Sequence, residues 1–260
     1  MQQAFAGSQR LYSQQGVEKL QQSNVTVIGI GGVGSWVAEA LARTAVGHIT
    51  LIDLDDICVS NTNRQIHALS NTVGKLKVEA MAERIKLINS NCEVTQAVDF
   101  INKDNLSQYL SNDTDYVVDA VDNARVKAAI IHYCKRNKIK IISIGGAGGQ
   151  IDPLKITVND LSRTWQDPLS AKVRNELRRN YNFSKNPKRR FGVECVYSTE
   201  QLLYPDSNGN ITYEKKVGNT NARLDCAQGL GASVVVTSTF GMIAASKVIN
   251  WLVNREDKTN

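Results

Sequence analysis

Asn24-Val-Thr-Val-Ile28, then Gly29-Ile-Gly-Gly-Val-Gly34, then Ser35-Trp-Val-Ala-Glu-Ala-Leu-Ala-Arg-Thr-Ala45 is the stretch that decides the fold of this 260-residue chain. The first piece is short, apolar and β-branched, as a buried parallel strand is. The last shows helical spacing, with Trp36, Ala40 and Thr44 on one stripe and Val37 and Leu41 on the next; Gly47 is expected to end it. Of the glycines between, Gly29 allows a tight turn, Gly31 (with Gly32 beside it) lets a phosphate approach the backbone, and Gly34 lets helix and strand close together. The helix start then directs its free N–H groups and the positive end of its dipole at that phosphate.

Working outward, His48-Ile-Thr-Leu-Ile-Asp53 reads as a second strand and about 75–88 as a helix broken by Ser90-Asn-Cys92. Tyr116–Asp119 is a strand, Ala124–Arg136 a helix, and Ile139–Ile144 a strand running into Gly145-Gly146. Strands alternating with helices predict an α/β fold: a doubly wound, mainly parallel sheet with a Rossmann-like nucleotide-binding half at about 24–150. After Gly149, Leu154–Val158 reads as a strand. Asp167-Pro168 opens a helix as N-cap and first helical residue, with Leu169, Val173 and Leu177 as its apolar stripe, and 184–190 is a loop. No linker divides the chain, so 1–260 is expected to be one domain, with 151–260 as its second half. Gly231–Val253 is apolar and long enough for a bilayer, but its Ser233, Thr237, Ser238, Thr239, Ser246, Lys247 and Asn250 equally suit a helix packed inside a protein.

A composition of 42% apolar and 22% charged residues, with four prolines against eighteen glycines, excludes a disordered, collagen-like or disulfide-scaffold chain. The five cysteines are scattered and form no CxxC pair, which argues for a reducing, cytoplasmic setting and against a tetrathiolate zinc site. The first residues lack the basic segment and apolar run of a secretory signal. Much of the net charge of +6 comes from one window, where Lys172, Arg174, Arg178, Arg179, Lys185, Lys188, Arg189 and Arg190 face a single acid, Glu176. Such a window is either a polyanion-binding surface or a solvated helix face with a loop.

Asp53 lies nineteen residues after Gly34, where a carboxylate accepts from ribose hydroxyls. Beyond it stand Asp55, Asn61, Arg64 and Gln65, and then Lys77. A diphosphate needs no such cations, so Arg64 and Lys77 at the same sheet edge point to a triphosphate held in a cationic cradle. Asp119-Ala-Val-Asp-Asn123 puts two carboxylates at another strand end, with Asp122 placed to hold Mg²⁺. Taken singly, Arg64 is equally a surface ion pair and Asp119 a helix cap; their common order and strand-end placement favour the nucleotide site.

In these features the sequence resembles the bacterial relatives of the ubiquitin-activating enzymes, on Gly29-x-Gly-Gly-Val-Gly34, Asp53, Asn61-x-x-Arg64-Gln65, Gly74-x-x-Lys77 and Asp119-x-x-Asp122-Asn123. Within that superfamily it is similar to the tRNA threonylcarbamoyladenosine dehydratase branch, on Asn61–Ala68, Gly145–Pro153, Gln166–Leu169 and Tyr204-Pro205. The resemblance covers nearly the whole chain. It implies ATP and Mg²⁺ as cofactors and adenylation of a threonyl carboxylate beside a tRNA anticodon, followed by intramolecular ring closure with release of AMP. It also implies that Asp53 holds the ribose, that Gly29, Gly31, Gly32, Gly34, Asp55, Gln65 and Asn123 line the nucleotide, and that Asn61, Arg64 and Lys77 offset polyphosphate charge. Asp122 would carry Mg²⁺, with Arg64, Lys77 and Asp122 as the catalytic set. The basic window would then bind tRNA, residues 151–260 would form the substrate and dimerisation half of a homodimer, and a sulfur-relay protein is a further candidate partner.

Departures and alternatives remain. Adenylating enzymes for ubiquitin-like sulfur-carrier proteins commonly carry two zinc-binding CxxC pairs, absent here; that function is the alternative, and a nicotinamide-dependent dehydrogenase is the third. Many relatives give an N-terminal arginine to the partner's ATP, a role for which Arg10 is the candidate. Cys226, Cys195 and Cys134 are nucleophiles or packed thiols, His67 and His132 structural hydrogen-bonders or acid–base groups, and Trp165 a base-stacking or a core residue.

Overall fold

The computed structural model describes residues 3–206, 208–214 and 230–256. Its centre is a seven-stranded sheet of β1 (Asn24–Ile28), β2 (His48–Ile52), β3 (Glu93–Ala97), β4 (Tyr116–Asp119), β5 (Lys140–Ile144), β6 (Ile156–Asp160) and β7 (Glu194–Ser198), ordered β3-β2-β1-β4-β5-β7-β6. All pairs are parallel except β6 with β7. The doubly wound fold expected from the sequence is therefore present, and β7 and β6 continue the same sheet beyond β5.

Alternation along the strands separates two apolar layers. Val25, Val27, Ile49, Leu51, Tyr116, Val118, Ile142 and Ile144 join one cluster with α1 (Ala6–Gln21), α2 (Gly34–Arg43), α3 (Lys77–Ile88) and α7 (Val234–Asn254). Ile28, Ile52, Val117 and Ile141 face the other, with α4 (Leu106–Tyr109), α5 (Ala124–Arg136) and α6 (Pro168–Asn180). A strand covered on both faces is mostly apolar, which is why β1 is broken only by the half-buried Asn24 at its start and the buried Thr26. Glu39 of α2 is buried but takes both Arg43 and Arg84, the latter tying α2 to α3.

The stretch 231–253 contributes the core helix α7. Its length and apolarity would permit a membrane span, yet Val236, Phe240, Ala244, Val248 and Leu252 are fully buried in the protein. Gly241 explains the small residues: a Cβ there would lie 2.7 Å from Trp36 Cβ and 2.9 Å from the Val33 carbonyl, so α7 packs almost backbone to backbone on α2.

Two expectations are corrected, and one alternative reading, Asp119 as a helix cap, is excluded. Helix α2 stops at Arg43 and reverses at Ala45, whose φ is 67°; Gly47 instead makes room, since a Cβ there would lie 1.7 Å from the Gln21 carbonyl. The strand expected at 154–158 begins two residues later, because Asp152 caps a 3-10 turn over Pro153–Lys155. The carboxyamide that caps α5 belongs to Asn123, accepting from the amides of Arg125 and Val126, so Asp119 is not the cap. Sequence reasoning also missed α1, β3 and β7. Helix α1 bends at Ser13 and β3 is a largely solvated edge strand, so neither carries a clean apolar period.

Candidate functional site

Strand register sets the site. Ile28 pairs with Ile52 and Asp119, and Asp119 with Ser143, so β1, β2, β4 and β5 finish level at one rim. Past that rim, where the strand order reverses between β1 and β4, opens a cleft of about 740 Å³. Each glycine of the loop after β1 has its own reason. Gly29 has φ 87°, Gly34 sits so close that a Cβ would lie 1.8 Å from the Gly29 carbonyl, and Gly31 faces open space with nothing within 4 Å of a Cβ. Gly32 is covered by the aliphatic stem of Arg64, 3.3 Å from where its Cβ would be.

Asp53 accepts from the Ile30 amide at 2.6 Å and from the Asp55 amide at 2.9 Å, so it braces the glycine loop as well as facing the cleft. Burial holds its carboxyl above the ordinary carboxylate range, against the pull of Lys77 and these two amides. Lys77 donates to Asp55 Oδ2 at 2.6 Å and lies 3.8 Å from Asp53 Oδ1. Arg64 donates to the Ser60 carbonyl and to Asn63 Oδ1, while its own carbonyl accepts from the Trp36 indole, which anchors this loop on α2. Asn61 is buried and accepts from the Cys58 amide; Gln65 lines the cleft with its buried Oε1 lacking any partner among the described residues.

The two carboxylates after β4 have opposite fates. Asp119 is 0% exposed, paired with Lys127 at 3.0 Å and accepting from Ser143. Lys127 also donates to the carbonyls of Asp119 and Val121, closing the base of the loop. Asp122 is exposed in the cleft, without a hydrogen-bond or ion-pair partner among the described residues, and Asn123 lines the cleft while capping α5. The cationic cradle needs correction. Among the described residues, Asp53, Asp55, Asp56, Asp99 and Asp122 line the cleft with Arg64 and Lys77, so the described ionised side chains there are acidic in sum.

The wall after β5 was legible only through the resemblance. Gly145–Gly148, Leu169 and Thr237 line it, and the α6 cap Asp167 accepts from the Gly146 amide at 3.1 Å, tying the basic helix to the cleft. No periodicity marks Phe100 and Ile101, which follow β3 and line the apolar side with Val121 and Val126.

In the basic window, Lys172, Arg179, Lys185, Lys188, Arg189 and Arg190 are exposed. Arg174 instead donates to Thr164 Oγ1, and Arg178 lies over the Phe191 ring and donates to the Ser184 carbonyl. Trp165 is 56% exposed, which removes it from the core. Cys195 and Cys134 are packed thiols: burial pushes each up to about 12, which leaves essentially no thiolate at neutral pH. Cys226 lies outside the described residues. His67 is buried against the Ile30 carbonyl, and His132 packs on Tyr181. Arg10 is exposed on α1, whose Phe5 and Val17 border Ala45 and Gly47 at the opposite end of the strands, and it does not line the cleft.

Fold and cleft together define an α/β protein with a glycine-loop nucleotide site at its switch point. The chain belongs to the ThiF family, which it matches over residues 6–260. It is 53% identical over 254 residues to a tRNA threonylcarbamoyladenosine dehydratase of Haemophilus influenzae, covering 98% of this chain and 95% of the relative. It also resembles the structure of Escherichia coli tRNA N6-threonylcarbamoyladenosine dehydratase in complex with ATP, at 49% identity and a TM-score of 0.86, over 96% of this chain and 94% of that one. A molybdopterin-synthase adenylyltransferase of Escherichia coli is a more distant relative, 31% identical over 49% of this chain and 51% of its own length.

Proposed function

We propose that this chain catalyses the ATP-dependent dehydration of threonylcarbamoyladenosine in tRNA. The observation that carries the nucleotide half of this reading is the glycine loop, whose open Gly31 faces the cleft at the level strand ends. The tRNA half rests on the near full-length likeness to dehydratases, which outweighs the half-length likeness to a sulfur-carrier adenylating enzyme.

In the first step a carboxylate oxygen of the threonyl group attacks the α-phosphorus of ATP, and the bond to the pyrophosphate oxygen breaks. In the second, the carbamoyl group closes onto the activated carbon, a proton is lost, and AMP leaves. The protein's part is position and charge. Asp53 holds the ribose, and the Gly31 and Gly32 amides with the start of α2 meet the phosphates. Arg64 exchanges its neutral acceptors, Ser60 and Asn63, for phosphate oxygens, a stronger charge-assisted contact. Ile101, Val121 and Val126 give the purine an apolar wall.

The excess of cleft carboxylates and the unpartnered Asp122 fit a divalent cation. Mg²⁺ ordinarily takes one or two carboxylates plus substrate phosphates, and would supply the positive charge these side chains lack. Among the described residues, no three His, Cys, Asp or Glu side chains are grouped so as to hold a metal by themselves. We take the working form to be a homodimer in the cytoplasm; the apolar Val234, Val235 and Met242 that α7 leaves exposed support the dimer alone. Nothing favours a sulfur-relay protein as a second partner.

The test incubates the protein with ATP, Mg²⁺ and tRNA bearing linear threonylcarbamoyladenosine, then weighs the nucleoside. Loss of one water with AMP formed is expected; an unchanged nucleoside overturns the reading. In the same assay Arg64→Ala should slow single-turnover adenylation roughly a hundredfold, and a loss below about threefold removes Arg64 from the transition state.

Six window cations are exposed, with no side-chain partner among the described residues, and contact of about five with RNA should give a log affinity against log salt slope of roughly −3.5 to −4.5. A flat salt dependence would show the window to be a solvated face. The expected slope is measured with uncharged variants of Lys188, Arg189 and Arg190, each of which should make it shallower by about 0.7 to 0.9.

A further inference from the structure

We propose that His67 is a positioning residue of the nucleotide site: it holds the Ile30–Gly31 peptide in the orientation that aims the Gly31 amide at the phosphates. The proposal rests on the reading of the cleft as an ATP site and assigns a role to a histidine outside the expected binding set.

The Ile30 peptide groups are held from both directions. The Ile30 N–H donates to Asp53 Oδ2 at 2.6 Å, and the Ile30 carbonyl lies 3.0 Å from His67 Nε2. A carbonyl oxygen only accepts, so Nε2 must carry the proton. His67 is 2% exposed and its Nδ1 has no partner among the described residues, which agrees with a bare Nδ1. Burial, reinforced by the nearby cations Lys77 and Arg84, pushes the imidazole down to about 4, so it is neutral at pH 7 with that tautomer locked.

A trans peptide is planar, with its N–H pointing opposite to its C=O. Fixing the Ile30 carbonyl on His67 therefore turns the Gly31 N–H away from the ring. Gly31 lines the cleft, and its N–H has no acceptor among the described residues. Glycine lets this peptide rotate cheaply, so the loop needs an external hold to present one face. Asp53 fixes one side of Ile30; among the described residues, His67 alone fixes the carbonyl that is rigidly coupled to the Gly31 amide.

The test measures binding of ATP with Mg²⁺, and of adenosine, to the full chain and to His67→Leu and His67→Gln by calorimetry. His67→Leu removes the donor at similar volume and should weaken ATP about tenfold while changing adenosine by less than about twofold. His67→Gln keeps an N–H donor and should hold ATP within about threefold of the parent. A leucine variant that binds ATP like the parent, or that loses ATP and adenosine in equal measure, overturns the proposal. Failure of the parent chain to bind ATP would instead sink the reading of the cleft. Should the leucine variant not fold, nitrogen NMR of the parent decides: a protonated Nε2 and a Gly31 amide that shifts with ATP but not adenosine are expected. A protonated Nδ1, or a Gly31 amide that ignores ATP, overturns it.

Discussion

Lys127→Met should cost about 3–5 kcal/mol of folding stability, because it strands a buried charge where the parent has a closed pair. The Lys127 side chain is 1% exposed, and its ammonium meets Asp119 Oδ2 at 3.0 Å as well as the Asp119 and Val121 carbonyls. Methionine fills nearly the same space but supplies no donor. Ser143 is then left as the one side chain bonded to a carboxylate that is cut off from water. The double variant Lys127→Met with Asp119→Asn should recover a large part of the loss, since neither member is then charged. Urea unfolding of the three proteins checks this; a single-variant loss below about 1 kcal/mol would show the pair to contribute nothing. The same variant should also weaken ATP binding, because the loop that Lys127 closes carries Asp122.

The second large effect is steric. Gly34→Ala places a Cβ 1.8 Å from the Gly29 carbonyl, so backbone at the heart of the βα turn must move by more than 1 Å to restore an ordinary contact. A cost of about 3 kcal/mol or more is expected, together with loss of nucleotide binding. Gly31→Ala is the control, with nothing within 4 Å of the added methyl. It should leave stability within about 1 kcal/mol and still reduce ATP affinity about tenfold, by occupying the space that a phosphate approaches. Thermal unfolding and calorimetry separate the two variants. If Gly31→Ala binds ATP normally, the phosphates do not sit against Gly31.

The turn at Gly29 and the close approach at Gly34 were legible in the sequence because they depend on residues a few places apart, on a turn whose geometry is local. Asp167 as the cap of α6 and Asp53 at the end of β2 were legible for the same reason. Legibility failed where a side chain's partner lies far along the chain. Asp119 and Asp122 look alike in sequence, but only one lies opposite Ser143, twenty-four residues on, and is thereby withdrawn from the site. Gly47 looks like a helix stop because nothing nearby reveals the Gln21 carbonyl beneath it. The carboxylates that share the cleft with Arg64 and Lys77 were not legible either, because the loop after β3 brings Asp99 there from far along the chain.

By itself, then, the sequence determined the strand–turn–helix at Asn24–Arg43, the alternation that builds a doubly wound sheet, and the rim at which the glycine loop lies. These follow from local backbone preference and apolar period, which neighbouring residues set. The tertiary structure alone decided which carboxylate stays free, which cations find acceptors, and that His67 reaches the Ile30 carbonyl thirty-seven residues away. Those outcomes depend on burial and on contacts across strands, and such contacts exist only once the sheet has brought distant segments together.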